Sequence, residues 1–447
     1  MESESNTSTG DSDDSDNNYT LLLTSANYDD LEESIFILLT DIITENPLLY
    51  SKNDFHDIIK DDIMNYFIQN FIDGTIIKNI YDFNKMQHII TNIVSSFFMN
   101  NSTTFPLRSQ YETNVLSNME PSYIKQQLQF LRELPQPEQK TPEWYELRHE
   151  LITASNINKI FASQSQRNSL IYEKCKPYDP DINARQNNWH ATGSLQWGNL
   201  YESVSILVYE HMNNTTVSDF GCIIHDKYKY IGASPDGINT DPNSYLYGRM
   251  VEVKNIVNRD ITGIPKDDYW VQMQIQMETC NLEECDFIET RFKEYDTSDD
   301  FFNDETTKKR GIILCFIEKH TLNSSPTYVY SKLNMNMSKQ SVNDWIENET
   351  IKNSDKYQLY KTRFWFLDEY SCVLVRRNPL WFNAAIPFIK ETWDTILKER
   401  KNGYEHRASK KKLMGQCVFV SNQDDNVTTT RTIHNINTNS NVSVVKL

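Results

Sequence analysis

The sequence predicts an α/β protein in which a mixed sheet is flanked by helices and preceded by an all-α module. Three observations lead there. Apolar residues recur at helical spacing from Tyr19 to about Leu134. Beyond a proline-rich break the apolar runs shorten, become β-rich and alternate with helical stretches. A length of 447 residues also exceeds one typical domain, so more than one compact unit is expected.

Residues 1–18 are Ser, Asp, Asn and Glu with no apolar stretch, too polar to offset ordering entropy, and are expected to form a disordered acidic tail. Residues 19–134 read as the helical module. Leu31, Ile35, Leu38, Leu39 and Ile42 form one stripe, and Ile58, Ile59, Ile63, Phe67 and Ile68 another. Such stripes are core, so no chemistry is assigned to them. Pro135 to Pro142 marks a boundary, because proline removes backbone donors and biases its predecessor away from helix. The main domain then spans 136–400. Helices are expected at 143–148 and 198–211, with Thr153 or Ser155 capping a further one. Strands are expected at 217–225, 228–233 and 250–257, separated by Asp-Lys, Pro-Asp-Gly and Asp-Pro-Asn turns. A helix follows at 269–279, a strand at 286–292, strands at 312–318, 328–333 and 364–375, and a closing amphipathic helix at 381–400. A charged insertion covers about 297–361. Residues 401–447 are basic, then Asn/Thr-rich, and are expected to be disordered; the run from Lys398 to Lys412 reads equally as a DNA guide, a nuclear address or a solvated helix end.

A formal net charge of −18 argues against non-specific coating of nucleic acid, so any DNA site must be a local basic patch. None of the seven cysteines forms a CxxC pair or zinc spacing, and reduced thiols in an intracellular protein are expected. Neither a signal peptide nor a run of about 20 apolar residues is present, so the expectation is a soluble protein without a membrane partner.

The chemistry concentrates between Trp197 and Lys254. A helix carries Glu202, a Ser234-Pro-Asp236-Gly237 turn carries Asp236, and an apolar strand carries Glu252 and Lys254. Mg²⁺ binds oxygen and keeps several waters, so a few carboxylates suit it. Pleating places Lys254 on the face of Glu252, about 7 Å along the strand. An ammonium there can hold an attacking water or stabilise charge developing on phosphate. Singly, a Ser-Pro-Asp-Gly is a turn and a Glu-x-Lys a solvated face; their order, and the apolar neighbours of Glu252, indicate buried carboxylates that need a partner.

These residues match the PD-(D/E)xK nuclease pattern. With Trp144 to Ser155, Trp197 to Glu202 and Tyr269 to Gln274 in the same order, the chain resembles the lambda-exonuclease-like, YqaJ-type viral recombinase group over residues 136–292, and more loosely over 372–400. The resemblance implies a restriction-endonuclease-like core and Mg²⁺, or Mn²⁺, ligated by Asp236, Glu252 and the Val253 carbonyl, with Glu202 nearby. It implies that Lys254 assists the nucleophilic water, that Gln272 lies beside the centre, and that Arg148 and Ser155 grip a terminal 5′ phosphate. Without it, Arg148 reads as a surface ion pair with Glu146 or Glu150.

Asp226, ten positions before Asp236, is expected as a supporting residue behind the metal ligands, although an Asp before Lys is commonplace in a hairpin turn. Gln274 and Gln276 read as polar helix positions without a role. His190 and His225 lack metal spacing, and Cys280 and Cys285 lack an iron–sulfur pattern. The implied activity is a metal-dependent 5′→3′ exonuclease on double-stranded DNA with free 5′ ends, in recombination, repair or genome processing of a large DNA virus, in a host cytoplasmic factory or nucleus. A single-strand annealing partner and an oligomer are compatible with it. Two alternatives stay open: an endonuclease of the same fold acting on DNA or RNA, and a non-catalytic DNA-end-binding recombination adaptor.

Overall fold

The computed structural model describes residues 25–73, 80–111, 119–139, 141–179, 194–306, 309–320 and 326–408. The acidic 1–18 segment, His190, Lys410 to Lys412 and the polar C-terminal stretch lie outside them. Between residues 25 and 133 the described elements are helical: α1 (Ser25–Glu45), a 3-10 turn at Pro47–Ser51, α2 (Phe55–Asp73), α3 (Ile80–Asn100) and α4 (Pro121–Glu133). Leu31, Ile35, Leu39 and Ile43 recur every fourth residue and are buried, while Leu38 and Ile42 flank that line half-buried.

There follow α5 (Pro142–His149), β1 (Ile152–Thr153), α6 (Ala154–Ile157), α7 (Gln164–Cys175), α8 (Ser194–Asn213), β2 (Val217–Ser218), β3 (Ile223–Ile224), β4 (Ile231–Ala233), β5 (Gly237–Asn239) and β6 (Met250–Asn255). The chain continues with α9 (Asp267–Cys280), β7 (Glu284–Glu294), α10 (Ser298–Asn303), β8 (Arg310–Glu318), β9 (Thr327–Tyr330), α11 (Lys339–Lys352), β10 (Tyr357–Arg376) and α12 (Pro379–Asn402). The main sheet has the order β2-β5-β6-β7-β10-β8-β9, with β6 and β7 parallel and the other pairs antiparallel. This is the mixed, helix-flanked α/β architecture that the sequence predicts. A small sheet, β1-β4-β3, lies beside it.

Parallel β6 and β7 need a crossover, and α9 supplies it. Pleating then divides β6. Val251 and Val253 pack with Tyr209 of α8, while Glu252 and Lys254 meet α9. The first helices are not packed apart from this centre: buried residues of α1–α4 share one apolar core with Trp270, Met273 and Met277 of α9 and with Trp381 and Ile389 of α12.

Several elements differ from expectation for local reasons. The strand expected at 217–225 is split into β2 and β3, which join different sheets, because residues 136–137 cross it at Gly221. That N–H donates to Gln136 Oε1 at 2.6 Å, and a Cβ there would come within 2.4 Å of the Pro137 carbonyl oxygen. β10 is longer than the expected 364–375 because its two halves pair with different strands, β8 and β7. The charged stretch after residue 297 contains α10, closed by a reciprocal Thr297/Asp300 cap and anchored by buried Phe301. Within the basic run, Arg400 pairs with Glu150 at 2.7 Å and Arg407 with Glu399 at 2.6 Å. The described cysteines are free.

Burial holds two imidazoles down to about 4: His56, whose Nε2 accepts the Arg108 N–H, and His225, whose ring stacks on Phe382 at 5.6 Å. The unfolded chain protonates them near 6.5 and the folded chain does not, so stability is lost as pH falls from 6.5 through about 4. Thermal unfolding should show the melting temperature falling over this window, with a shallower slope for His56→Gln. An unchanged slope would contradict neutral burial of His56.

Candidate active site

Glu252 is wholly buried at the middle of β6. Its Oε1 accepts from the Lys254 ammonium and from Gln272 Nε2 at 2.8 Å, and its Oε2 accepts from Gln276 Nε2 at 2.7 Å. Gln272 and Gln276 stand one turn apart on α9, the spacing at which two side chains reach the same neighbour. Lys254 Nζ lies 5.0 Å from the Tyr269 ring centroid. Burial alone would lower the lysine's proton affinity, but Glu252 and Asp236 outweigh it and raise that affinity above its ordinary value.

Asp236 sits in the turn between β4 and β5, where its Oδ2 accepts the Val253 N–H at 2.8 Å. The turn closes tightly against β2, since a Cβ on Gly237 would come within 2.2 Å of Val217 Cγ1. Burial pushes the Asp236 carboxyl well above the usual carboxylate range; Glu252 and, more weakly, Glu202 of α8 add to that push, while Lys254 and the Val253 N–H oppose it. Asp236, Glu252, Glu202 and Lys254 are thus within electrostatic reach of one another.

A second group adjoins the same turn. Arg148 of α5 donates to Ser155 Oγ at 3.1 Å and to Ser234 Oγ at 3.4 Å, and its guanidinium lies 4.2 Å from the Trp144 ring centroid. The Trp144 indole also donates to Ser234 Oγ, at 3.2 Å, and Lys174 Nζ donates to the Arg148 carbonyl at 2.7 Å. Among the described residues Arg148 has no carboxylate partner; Glu150 pairs instead with His149 and Arg400. Ser234 joins the two groups, because Gln276 Nε2 also reaches its carbonyl, at 3.3 Å.

Two residues at this centre carry no assignment in the sequence reading. Gln276 holds half of the Glu252 carboxylate, and its i+4 spacing from Gln272 was the available signal. Ser234 was hidden by its place in an ordinary turn. Gln274, between the two glutamines, points elsewhere and bonds the Arg376 carbonyl and the Asn378 N–H at 3.0 and 2.7 Å. Asp226 is not brought to the cluster. Its side chain is 91% exposed in the turn between β3 and β4, where it pairs with Lys229 at 3.2 Å.

Among the described residues no three His, Cys, Asp or Glu side chains close into a compact metal cage. A hard divalent cation that keeps several waters needs only one or two carboxylates. Asp236 and Glu252 fit that demand: their donors are oxygen, and their mutual repulsion is what a cation between them would relieve.

Residues 143–283 match the model of the YqaJ-like viral recombinase domain, a span that contains Arg148, Ser155, Glu202, Asp236, Glu252, Lys254 and Gln272. The chain is 27% identical over 322 residues to an uncharacterized protein of Acanthamoeba polyphaga mimivirus; the match covers 63% of this chain and 57% of that protein's length. Two solved structures of an alkaline exonuclease from Laribacter hongkongensis, one in complex with dAMP, are similar at 18% identity. Each match covers 60% of this chain and 95% of the other, with TM-scores of 0.33 and 0.32.

Gln276→Ala should lower stability by about 1.5–3 kcal/mol in urea unfolding, since a buried carboxylate loses a hydrogen bond and gains none. Gln276→Glu, which sets a second carboxylate against the first, should cost more. A neutral Gln276→Ala would contradict its part in holding Glu252.

Proposed function

We propose that this chain, with its YqaJ-like viral recombinase domain, is a Mg²⁺-dependent nuclease, and within that class a 5′→3′ exonuclease on double-stranded DNA. The observation that supports this most is a juxtaposition. The buried Asp236–Glu252–Lys254 cluster and the Arg148–Ser155–Ser234 group share one turn.

Asp236 and Glu252 would hold Mg²⁺ or Mn²⁺, with Glu202 close by and the Val253 carbonyl as a further oxygen. When bound, such a cation polarises the phosphoryl oxygen and lowers the proton affinity of a water. Lys254 stays charged beside its two carboxylates, so its ammonium can orient the attacking water or meet charge developing on the phosphate. Gln272 and Gln276 keep the Glu252 carboxylate from rotating away. Arg148 offers a planar fork stacked on Trp144, and Ser155 and Ser234 offer hydroxyls, a set suited to a terminal phosphate dianion. A strand held there by its 5′ phosphate would present its next linkage to Asp236 and Glu252.

This reading places the protein in viral DNA recombination, repair or genome processing, in a host cytoplasmic factory or nucleus, with DNA ends as substrate and a single-strand annealing protein as partner. No described helix is long and apolar enough to cross a membrane.

Digestion of end-defined substrates tests it. With Mg²⁺, a 5′-phosphorylated linear duplex should be consumed and a covalently closed circle spared, and Lys254→Ala should slow the reaction by roughly 10²–10⁴-fold. Arg148→Ala should erase the preference for 5′-phosphate over 5′-hydroxyl ends. Circles nicked as fast as ends are consumed would assign an endonuclease instead, and faster cleavage of RNA of the same sequence would replace the substrate. Full biological activity of Glu252→Ala would leave only a non-catalytic adaptor.

A further inference from the structure

Among the described residues, the N-terminal helices provide none of the groups that hold the carboxylate cluster, yet the segments that join them grip the start of the helix that does. Arg108 lies between α3 and α4 and is 2% exposed. Its Nε donates to the Tyr50 carbonyl at 3.1 Å and its Nη2 to the Ser51 carbonyl at 3.2 Å, both in the 3-10 turn; its Nη1 donates to the Pro265 carbonyl, two residues before α9. Its own carbonyl accepts the Trp270 indole N–H at 3.1 Å, and its guanidinium lies 5.6 Å from that ring's centroid. Asp267, the first residue of α9, accepts the Asn53 N–H at 2.8 Å and pairs with Lys52 at 3.5 Å.

Trp270 is the other half of this joint. It is buried, stacked in parallel with Tyr50 at 6.2 Å and set edge-on to Trp381 at 5.4 Å. At 3.6 residues per turn, Gln272 and Gln276 lie roughly 120–160° round the helix from Trp270. Seating the indole among these partners therefore turns the two glutamines the other way, to where Glu252 is found. A buried guanidinium is a costly way to fill space, and a hydrophobic group would fill it as well or better. What the arginine adds is direction, through bonds to backbone carbonyls on two segments far apart in the chain.

We propose that Arg108 is a positioning residue for the carboxylate site, fixing the start and rotation of α9 so that Gln272 and Gln276 meet Glu252. The N-terminal helical module thereby becomes part of the active centre. The inference rests on the nuclease reading for its activity arm and on geometry alone for its second arm.

The second arm is amide hydrogen exchange in the full-length protein. Arg108→Gln should speed exchange along residues 267–280 while leaving β6 protected; unchanged protection of those residues overturns the proposal whatever the enzyme does. In the activity arm, Arg108→Gln should lower kcat about tenfold with KM changed less than twofold. In a Gln272→Ala/Gln276→Ala background it should add less than a further twofold, because the contacts through which Arg108 acts are then already gone. Fully additive losses, or a raised KM at unchanged kcat, overturn the positioning role. Should Arg108→Gln fail to fold cooperatively, Trp270→Phe, which keeps a ring but loses the indole N–H, takes its place under the same readouts. A wild-type protein inert on DNA overturns the nuclease reading, and hydrogen exchange then decides this one.

Discussion

Burying the Glu252 carboxylate is the constraint on which the rest of the site depends. Removing a charged group from water costs several kcal/mol, and only an opposite charge and directed hydrogen bonds offset it. Lys254, Gln272 and Gln276 supply these. Their placement demands a strand that is apolar on one face and charged on the other, and a helix that crosses back over the charged face. The parallel β6–α9–β7 unit meets both demands, and α8 covers the valines on the opposite side.

The turn from Ser234 to Gly237 is the second fixed point. Its serine faces the Arg148 guanidinium of α5 and its aspartate binds back to β6, so one short segment bridges a cationic group and an anionic pair. Asp236 is thereby brought close enough to Glu252 for that carboxylate, together with burial, to disfavour the Asp236 charge, and Lys254 only partly relieves this. An arrangement that stays electrostatically unfavourable without a further cation is poor design for stability alone. The cation proposed for this site would relieve it.

How much of this was legible in sequence follows the range of the interactions. Glu252 and Lys254 could be placed on one face from strand pleating, and Asp236 from turn chemistry, because both are local rules. The phase of α9 was not local: Gln272, Gln274 and Gln276 look alike in a row, and only the seated Trp270 decides which of them face the carboxylate. Asp226 misled because a hairpin Asp beside a Lys has the same appearance exposed or buried. Arg108 gave no signal at all, since its acceptors are 57, 58 and 157 residues away in the chain. For the same reason the helical stripes showed that the N-terminal helices pack, but not that they pack on α9 and α12. α11, whose one buried residue is Val342, carries too weak a stripe to announce itself.

Whether Asp236 and Glu252 hold a cation can be measured without DNA, by calorimetric titration of Mg²⁺ or Mn²⁺ into wild-type protein and Asp236→Asn. Saturable binding by the wild type that the substitution abolishes is expected. Equal binding by both proteins, or none by the wild type, would contradict a metal centre at these carboxylates.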